Sequence, residues 1–439
     1  MNANKAKAPR ASSNKIHIAA GYPSTGWRAA IARLGLGPLG GRRGWGRCAQ
    51  LALVCMPVML AACSSGPQPT PSPGTPGAGT GGATAPVRVP QALEGRAEAG
   101  ERVERRGAVW VRVGWDELPG FEQDAVGEAL ASLRASCPRA PSVWRSACEQ
   151  AARLDASDHQ AVRLWMLQHL RPWRIEDHRG SREGLLTGYY EPHFEARRLP
   201  DAEFRHPLHQ PPADLGQRRP YWTRQQLDTV REAREALRGR ELAYLRDPID
   251  VLVLQIQGSG RLTVTEPDGR QQTVRLSFAA HNDQPYGSVG RWLVEQGLLG
   301  GGQAGWAGIK TWVQRNPRRV QELLWKNPRV VFFREEPLLD PLVGPRGAMG
   351  VPLSPQRSMA VDPQSVPYGT AVWIQSPGPL GQPPLQRLVV AQDTGSAITG
   401  AVRGDYFWGW GEEAGEQAGR LKGRLQMWAL WPLEHRPPP

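Results

Sequence analysis

The first 62 residues of this 439-residue chain contain no Asp or Glu. They hold nine basic residues: Lys5, Lys7, Arg10, Lys15, Arg28, Arg33, Arg42, Arg43 and Arg47. The overall charge of +13 therefore comes largely from one end, because outside that segment 45 basic residues face 41 acidic ones. This small surplus comes with no zinc-finger spacing, no RNA-binding signature and no basic helical stripe. Together these absences argue against nucleic acid as a partner. Cysteine is scarce, at five, and no His or Cys cluster accompanies it, so no metal site and no cofactor are expected. No internal repeat is found, which leaves out solenoids and propellers. The apolar run Ala49–Ala62 falls short of the ~20 residues a comfortable membrane span needs.

Phe (7) and Tyr (8) are few, but Trp (17) is not. A Trp face matches the apolar face of a pyranose ring, yet the commoner use of any single Trp is to fill a core. Apolar residues make up 40% of the chain, enough to build a core, and the length allows two ordinary domains plus extensions. Gly (50) and Pro (41) point to turns and β structure rather than a helical bundle.

The N-terminal segment reads as an address. A basic stretch, Arg42 to Arg47, precedes the apolar run, which has the length of a signal-peptide core. The run ends in Leu60-Ala61-Ala62-Cys63, which resembles the bacterial lipoprotein box. That resemblance implies a lipidated Cys63 as the first mature residue, with Ser64 compatible with the outer membrane. The 48 residues ahead of the run are more than a signal peptide usually carries. Gly66–Pro90, rich in Pro, Gly and Thr and nearly uncharged, has the composition of a tether. Residues 1–62 are thus expected to be a signal segment and 63–95 an anchor with linker. Cys137 and Cys148 remain in the mature chain. In an oxidising periplasm they close a short loop as a disulfide; the alternative is two buried thiols.

Residues 108–115 and 184–191 alternate as strands, while 121–135, 141–154 and 158–170 have helical spacing. One helix is expected over Thr223–Leu237. The run Ile249–Gln257 reads as the strongest strand of the chain, and a hairpin turning at Asp268-Gly269 follows it. Helices are expected over Val289–Leu299, Trp306–Gln314 and Pro317–Trp325. Strands return at 330–333, 358–362, 370–375, 387–393 and 424–431, and they suggest a small barrel.

Three Asp near the C-terminus have distinct surroundings. Asp362 and Asp393 end apolar strands, where Asp often caps a turn. Asp405 is flanked by Tyr406, Phe407, Trp408 and Trp410, which would desolvate it and keep it protonated, ready to donate.

Six segments in order now resemble the membrane-bound lytic murein transglycosylase A family. They are Leu186-Thr187-Gly188-Tyr189-Tyr190-Glu191-Pro192, Gln255-Ile256-Gln257-Gly258-Ser259-Gly260, Val331-Phe332-Phe333, Met359-Ala360-Val361-Asp362, Asp393-Thr394-Gly395-Ser396-Ala397-Ile398 and Gly411–Gly419. The resemblance covers roughly residues 100 to 435, and the three Asp match the three-aspartate (3D) domain of that family. Ser396 departs from it, since a second Gly is common there.

The resemblance implies a mainly β protein with helices: a double-psi β-barrel domain, an inserted smaller β domain, and a substrate groove between them. Residues 96–190 form a helical part that joins the barrel, 191–330 the insert, and 331–435 the C-terminal barrel part. It further implies cleavage of peptidoglycan glycan strands by Asp405 as catalytic acid. Asp393 is the supporting acid, Asp362 is structural, and Thr187, Tyr190, Gln257 and Ser259 are substrate-contact candidates. Glu191 is a weaker candidate for a second acid, and pairing with an Arg or with solvent is its plainer role. Expected partners are glycan strands, the membrane through Cys63 on the periplasmic face of the outer membrane, and cell-wall synthases. Competing readings are a peptidoglycan-binding lipoprotein without activity and a two-carboxylate hydrolase using Asp405 with Asp393 or Glu191.

Overall fold

Alternating apolar segments and frequent Gly and Pro breaks produce strands joined by short helices in the computed structural model, which describes residues 100–379 and 382–439. The signal segment, Cys63 and the linker to residue 95 lie outside the described residues. The strands are β1 (Arg102–Glu104), β2 (Val109–Arg112), β3 (Leu170–Glu176), β4 (Gly184–Glu191), β5 (His193–Arg197), β6 (His206–His209), β7 (Glu241–Leu245) and β8 (Ser259–Thr265). They continue with β9 (Gln271–His281), β10 (Val331–Pro337), β11 (Ser358–Val361), β12 (Ala371–Ser376), β13 (Leu385–Asp393), β14 (Arg403–Trp410) and β15 (Lys422–Pro432).

Nine of them form one sheet in the order β1-β2-β3-β15-β12-β13-β11-β14-β4. β15 also pairs with β4, so β4, β15, β12, β13, β11 and β14 close into a ring. The barrel expected from the C-terminal strands is therefore present, with β4 supplied from far upstream. The other six strands make a separate sheet, β10-β9-β8-β5-β7-β6. The architecture is mainly β with helices.

Core composition follows from the pattern. One continuous core, shared by the barrel and the helical part, is built from Trp110, Trp144, Trp373, Trp431, Tyr406, Leu186 and their neighbours. Trp431 meets Trp110 and Trp144 edge to face, with ring centroids 5.7 and 5.8 Å apart. Much of the Trp excess is thus core. Arg357, 2% exposed, ties the helical part to the barrel by a two-pronged pair with Asp124 at 2.8 and 2.9 Å. Cys137 and Cys148 are joined as a disulfide, with Cα atoms 5.8 Å apart.

Ile249–Gln257 is not a strand: Pro248–Gln257 is a helix. Asp247 caps it by accepting from the Ile249 N–H at 2.8 Å, Pro248 takes the first turn, and Gly258 ends it at φ 80°. Its apolar run is continuous because the helix lies between two cores. Val251 and Leu254 face the second sheet, while Ile249, Leu252 and Val253 face a helical cluster. A helix buried on both sides loses the polar stripe that would mark its period. The helix expected over Thr223–Leu237 is two, Arg224–Thr229 and Arg231–Leu237, parted by Val230 in extended backbone. Among the described residues no helix is long and apolar enough to cross a membrane.

Candidate active site

The site grows from two neighbouring strands. β14 runs parallel to β4, with Asp405 opposite Thr187, Tyr406 opposite Gly188 and Phe407 opposite Tyr189. Alternation then sorts the side chains: Leu186 and Tyr406 turn into the barrel core, while Thr187 and Asp405 turn outward. The opposite neighbour of Asp405 is Ala360 of β11, which offers no polar group.

Asp405 keeps some surface access, but protein atoms surround its carboxyl. Burial pushes it up to about 6, against the hydrogen bond from Thr187 and the charge of Arg403; the negative charge of Asp393 adds to the rise. Thr187 Oγ1 donates to Asp405 Oδ1 at 2.5 Å, and Arg403 Nη2 donates to Thr187 Oγ1 at 2.9 Å. Such an acid is part-protonated near neutrality, so it can give a proton and take one back.

Asp393 ends β13 close by, and burial raises it as well. Its oxygens are occupied. Oδ1 accepts from the N–H groups of Ala348 (2.8 Å) and Thr394 (2.9 Å), and Oδ2 accepts from the Tyr189 hydroxyl at 3.0 Å. Tyr189 is itself pushed well up by burial and by both carboxylates. Asp362 holds a turn instead: it accepts from Gln364 N–H at 2.9 Å and Gly400 N–H at 2.8 Å.

Glu191 is fully buried and paired. Arg261 Nε reaches it at 2.8 Å and Arg275 Nε at 2.6 Å. The same two guanidiniums donate to the carbonyls of Pro341 and Val343, and Trp410 stacks on Arg261 with 4.2 Å from guanidinium carbon to ring centroid. With both oxygens committed to guanidinium donors, this carboxyl is a framework group with none left over for a substrate. Among the described residues no group of three His, Cys, Asp or Glu could hold a metal ion.

Two family models match this chain: the MltA specific insert domain over residues 185–334 and the 3D domain over residues 357–431. The membrane-bound lytic murein transglycosylase A of Vibrio cholerae serotype O1 is 32% identical over 269 residues, covering 59% of this chain and 68% of that protein. The chain belongs to the membrane-bound lytic murein transglycosylase A family.

Solved structures agree. MltA from Neisseria gonorrhoeae superposes with a TM-score of 0.65 at 32% identity, covering 78% of this chain and 97% of that one. The lytic transglycosylase LtgG of Burkholderia pseudomallei is 42% identical, with a TM-score of 0.54 and coverage of 77% and 98%. Escherichia coli MltA, solved with bound chitohexaose, gives 0.56 at 25% identity over 76% and 95%. The chain is thus a lytic murein transglycosylase, an enzyme acting on peptidoglycan.

Within this family fold the candidates from sequence separate into two groups. Asp405, Thr187 and Asp393 come together. Tyr190 and Gln257 pair with each other instead, Gln257 Oε1 accepting from the Tyr190 N–H at 3.1 Å. The Tyr190 ring lies against Gly415 and the helical core. Ser259 opens β8, half-buried, its hydroxyl without a protein partner among the described residues. Tyr189 and Arg403 were not among the candidates. Strand alternation could have found Tyr189, which shares a face with Thr187 two residues earlier. Arg403 carried no such signal, because β14 was not expected as a strand.

Proposed function

We propose that the enzyme cleaves the β-1,4 bond between MurNAc and GlcNAc with Asp405 as its single acid and base. Protonated Asp405 gives its proton to the glycosidic oxygen. Positive charge develops at MurNAc C1, and the sugar's own 2-acetamido carbonyl stabilises it. Asp405, now ionised, takes the proton of the C6 hydroxyl, and O6 closes onto C1 to leave a 1,6-anhydro-MurNAc end. The closure is intramolecular, so little entropy is lost in reaching it.

One observation carries this reading: Asp405 has an oxygen to spare, whereas Asp393 and Glu191 do not. Asp405 Oδ1 is held by Thr187, while Oδ2 has no hydrogen-bond partner among the described residues. Both oxygens of Asp393 and of Glu191 are engaged, which speaks against a water-activating base or a nucleophile. The glycan would lie in the groove between a barrel unit, built from 96–190 and 331–435, and the insert, 191–330. Thr187, Tyr190, Gln257 and Ser259 would be its contacts, carried by β4, the helix Pro248–Gln257 and β8. Lipidation at Cys63 would hold the enzyme on the periplasmic face of the outer membrane, with the Gly66–Pro90 segment as its tether.

Digestion of purified sacculi followed by mass spectrometry of the products tests the chemistry. Anhydro-muropeptides from the wild type that vanish with Asp405→Asn are the expected result. Products with free reducing ends would instead select a hydrolase, and no release by the wild type would select a binding protein. For the anchor, Cys63→Ala should move the protein from the membrane fraction to the soluble one.

A further inference from the structure

Arg403 faces Asp405 across Thr187. Its Nη1 donates to the carbonyls of Gly404 and, at 3.3 Å, Leu185 of the neighbouring strand. Nη2 is left to Thr187 Oγ1, at 2.9 Å. A guanidinium only donates. The Thr187 oxygen must therefore accept from it, and the one Thr187 hydroxyl hydrogen goes to Asp405 Oδ1, 2.5 Å away. A proton on Oδ1 would point at that hydrogen and leave it without an acceptor.

We propose that Arg403 is a positioning residue: by filling an acceptor site on Thr187 it turns the Thr187 hydroxyl onto Asp405 Oδ1, and so places the acidic proton on Oδ2. This deepens the single-acid reading above and rests on it. The proton then sits on the oxygen without a protein partner, available to a glycosidic oxygen instead of being shared with the protein. After transfer the new carboxylate already has the Thr187 O–H on one oxygen and the Arg403 charge behind it.

The groups acting on Asp405 are Arg403 of its own strand, Asp393 of β13, and Tyr189 of β4 through its bond to Asp393. β11 presents Ala360 opposite Asp405, and the helix Gly411–Arg420, which also packs on β14, adds no charge acting on it. Thr187 and Arg403 both favour the ionised form, so losing either raises the pH at which Asp405 deprotonates.

The test is the pH profile of kcat/KM on purified sacculi, read as anhydro ends formed, with thermal melting to check folding. Arg403→Met and Thr187→Val should each move the alkaline limb up by about one unit and cut kcat about tenfold. Thr187→Ser should restore both, and Arg403→Gln, which keeps a planar N–H donor, should recover most of kcat. The double variant Arg403→Met/Thr187→Val should cut kcat no further than the larger single one, because Arg403 orients Asp405 only through Thr187. A wild-type profile in Arg403→Met, failure of Arg403→Gln to recover kcat, or a double variant whose losses in kcat are fully additive overturns the proposal. Activity persisting in Asp405→Asn removes the acid itself and this role with it. Inactivity there, with unshifted limbs elsewhere, removes only the role of Arg403.

Discussion

Two carboxylates near the same strand pair meet opposite treatment. Asp405, opposite Thr187, receives one hydroxyl and keeps an oxygen free, and burial lifts it to about 6. Glu191, opposite Trp410, has two arginines and is wholly enclosed. Burial is common to both, so burial alone does not make an acid. What differs is the number of donors that come with it, which decides whether a carboxyl keeps an oxygen free for chemistry or becomes part of the framework.

The comparison breaks most sharply at Asp405. Asp405→Asn should cost about 10²–10⁴-fold in anhydro-product formation. The converse change, Glu191→Gln, should leave Arg261 and Arg275 buried without their counter-charge and cost about 3–5 kcal/mol in denaturant unfolding. If Glu191→Gln instead abolishes turnover without loss of stability, the framework role assigned to it is wrong.

Stability against pH sharpens the contrast. The folded form of Asp405 binds its proton more tightly than the unfolded chain does, since its pKa rises from 3.8 to about 6. Its ionisation therefore costs stability above about pH 6, and the cost fades as pH falls towards the unfolded value. Asp405→Asn should accordingly be more stable than wild type at pH 7.5, by about 3 kcal/mol, with the gain vanishing near pH 4. Melting curves at the two pH values would check this.

A smaller effect is expected from Tyr189→Phe. Its hydroxyl holds Asp393 down, so the variant lets Asp393 protonate more readily. Less negative charge beside Asp405 then lowers the alkaline limb, with about a tenfold loss above it. The direction is opposite to that expected for Arg403→Met, and the pH profile of kcat/KM distinguishes them.

Part of this site was legible from the chain alone. The aromatic flanks of Asp405 foretold its desolvation, and Asp393 was nominated from the end of its strand. The side-chain oxygen of Gln257, a substrate-contact candidate, also ties the helix Pro248–Gln257 to the Tyr190 backbone, a partner that no local window shows. That helix was read as a strand because its apolar residues serve two cores, and a local window cannot see two neighbours at once. β14 went unread because Gly404, Gly409 and four aromatics blur its alternation, although it carries the acid.

By itself the sequence determined the mainly β character and which carboxyls were worth attention. These depend on composition, on residues adjacent in the chain and on ordered motifs. The tertiary structure decided the partners. Thr187 lies 218 positions from Asp405, and Arg261 and Arg275 lie 70 and 84 from Glu191. The role of a buried carboxyl is set by what surrounds it in space, and for these two the register of β4 on β14 and the folding of β8 and β9 supply it.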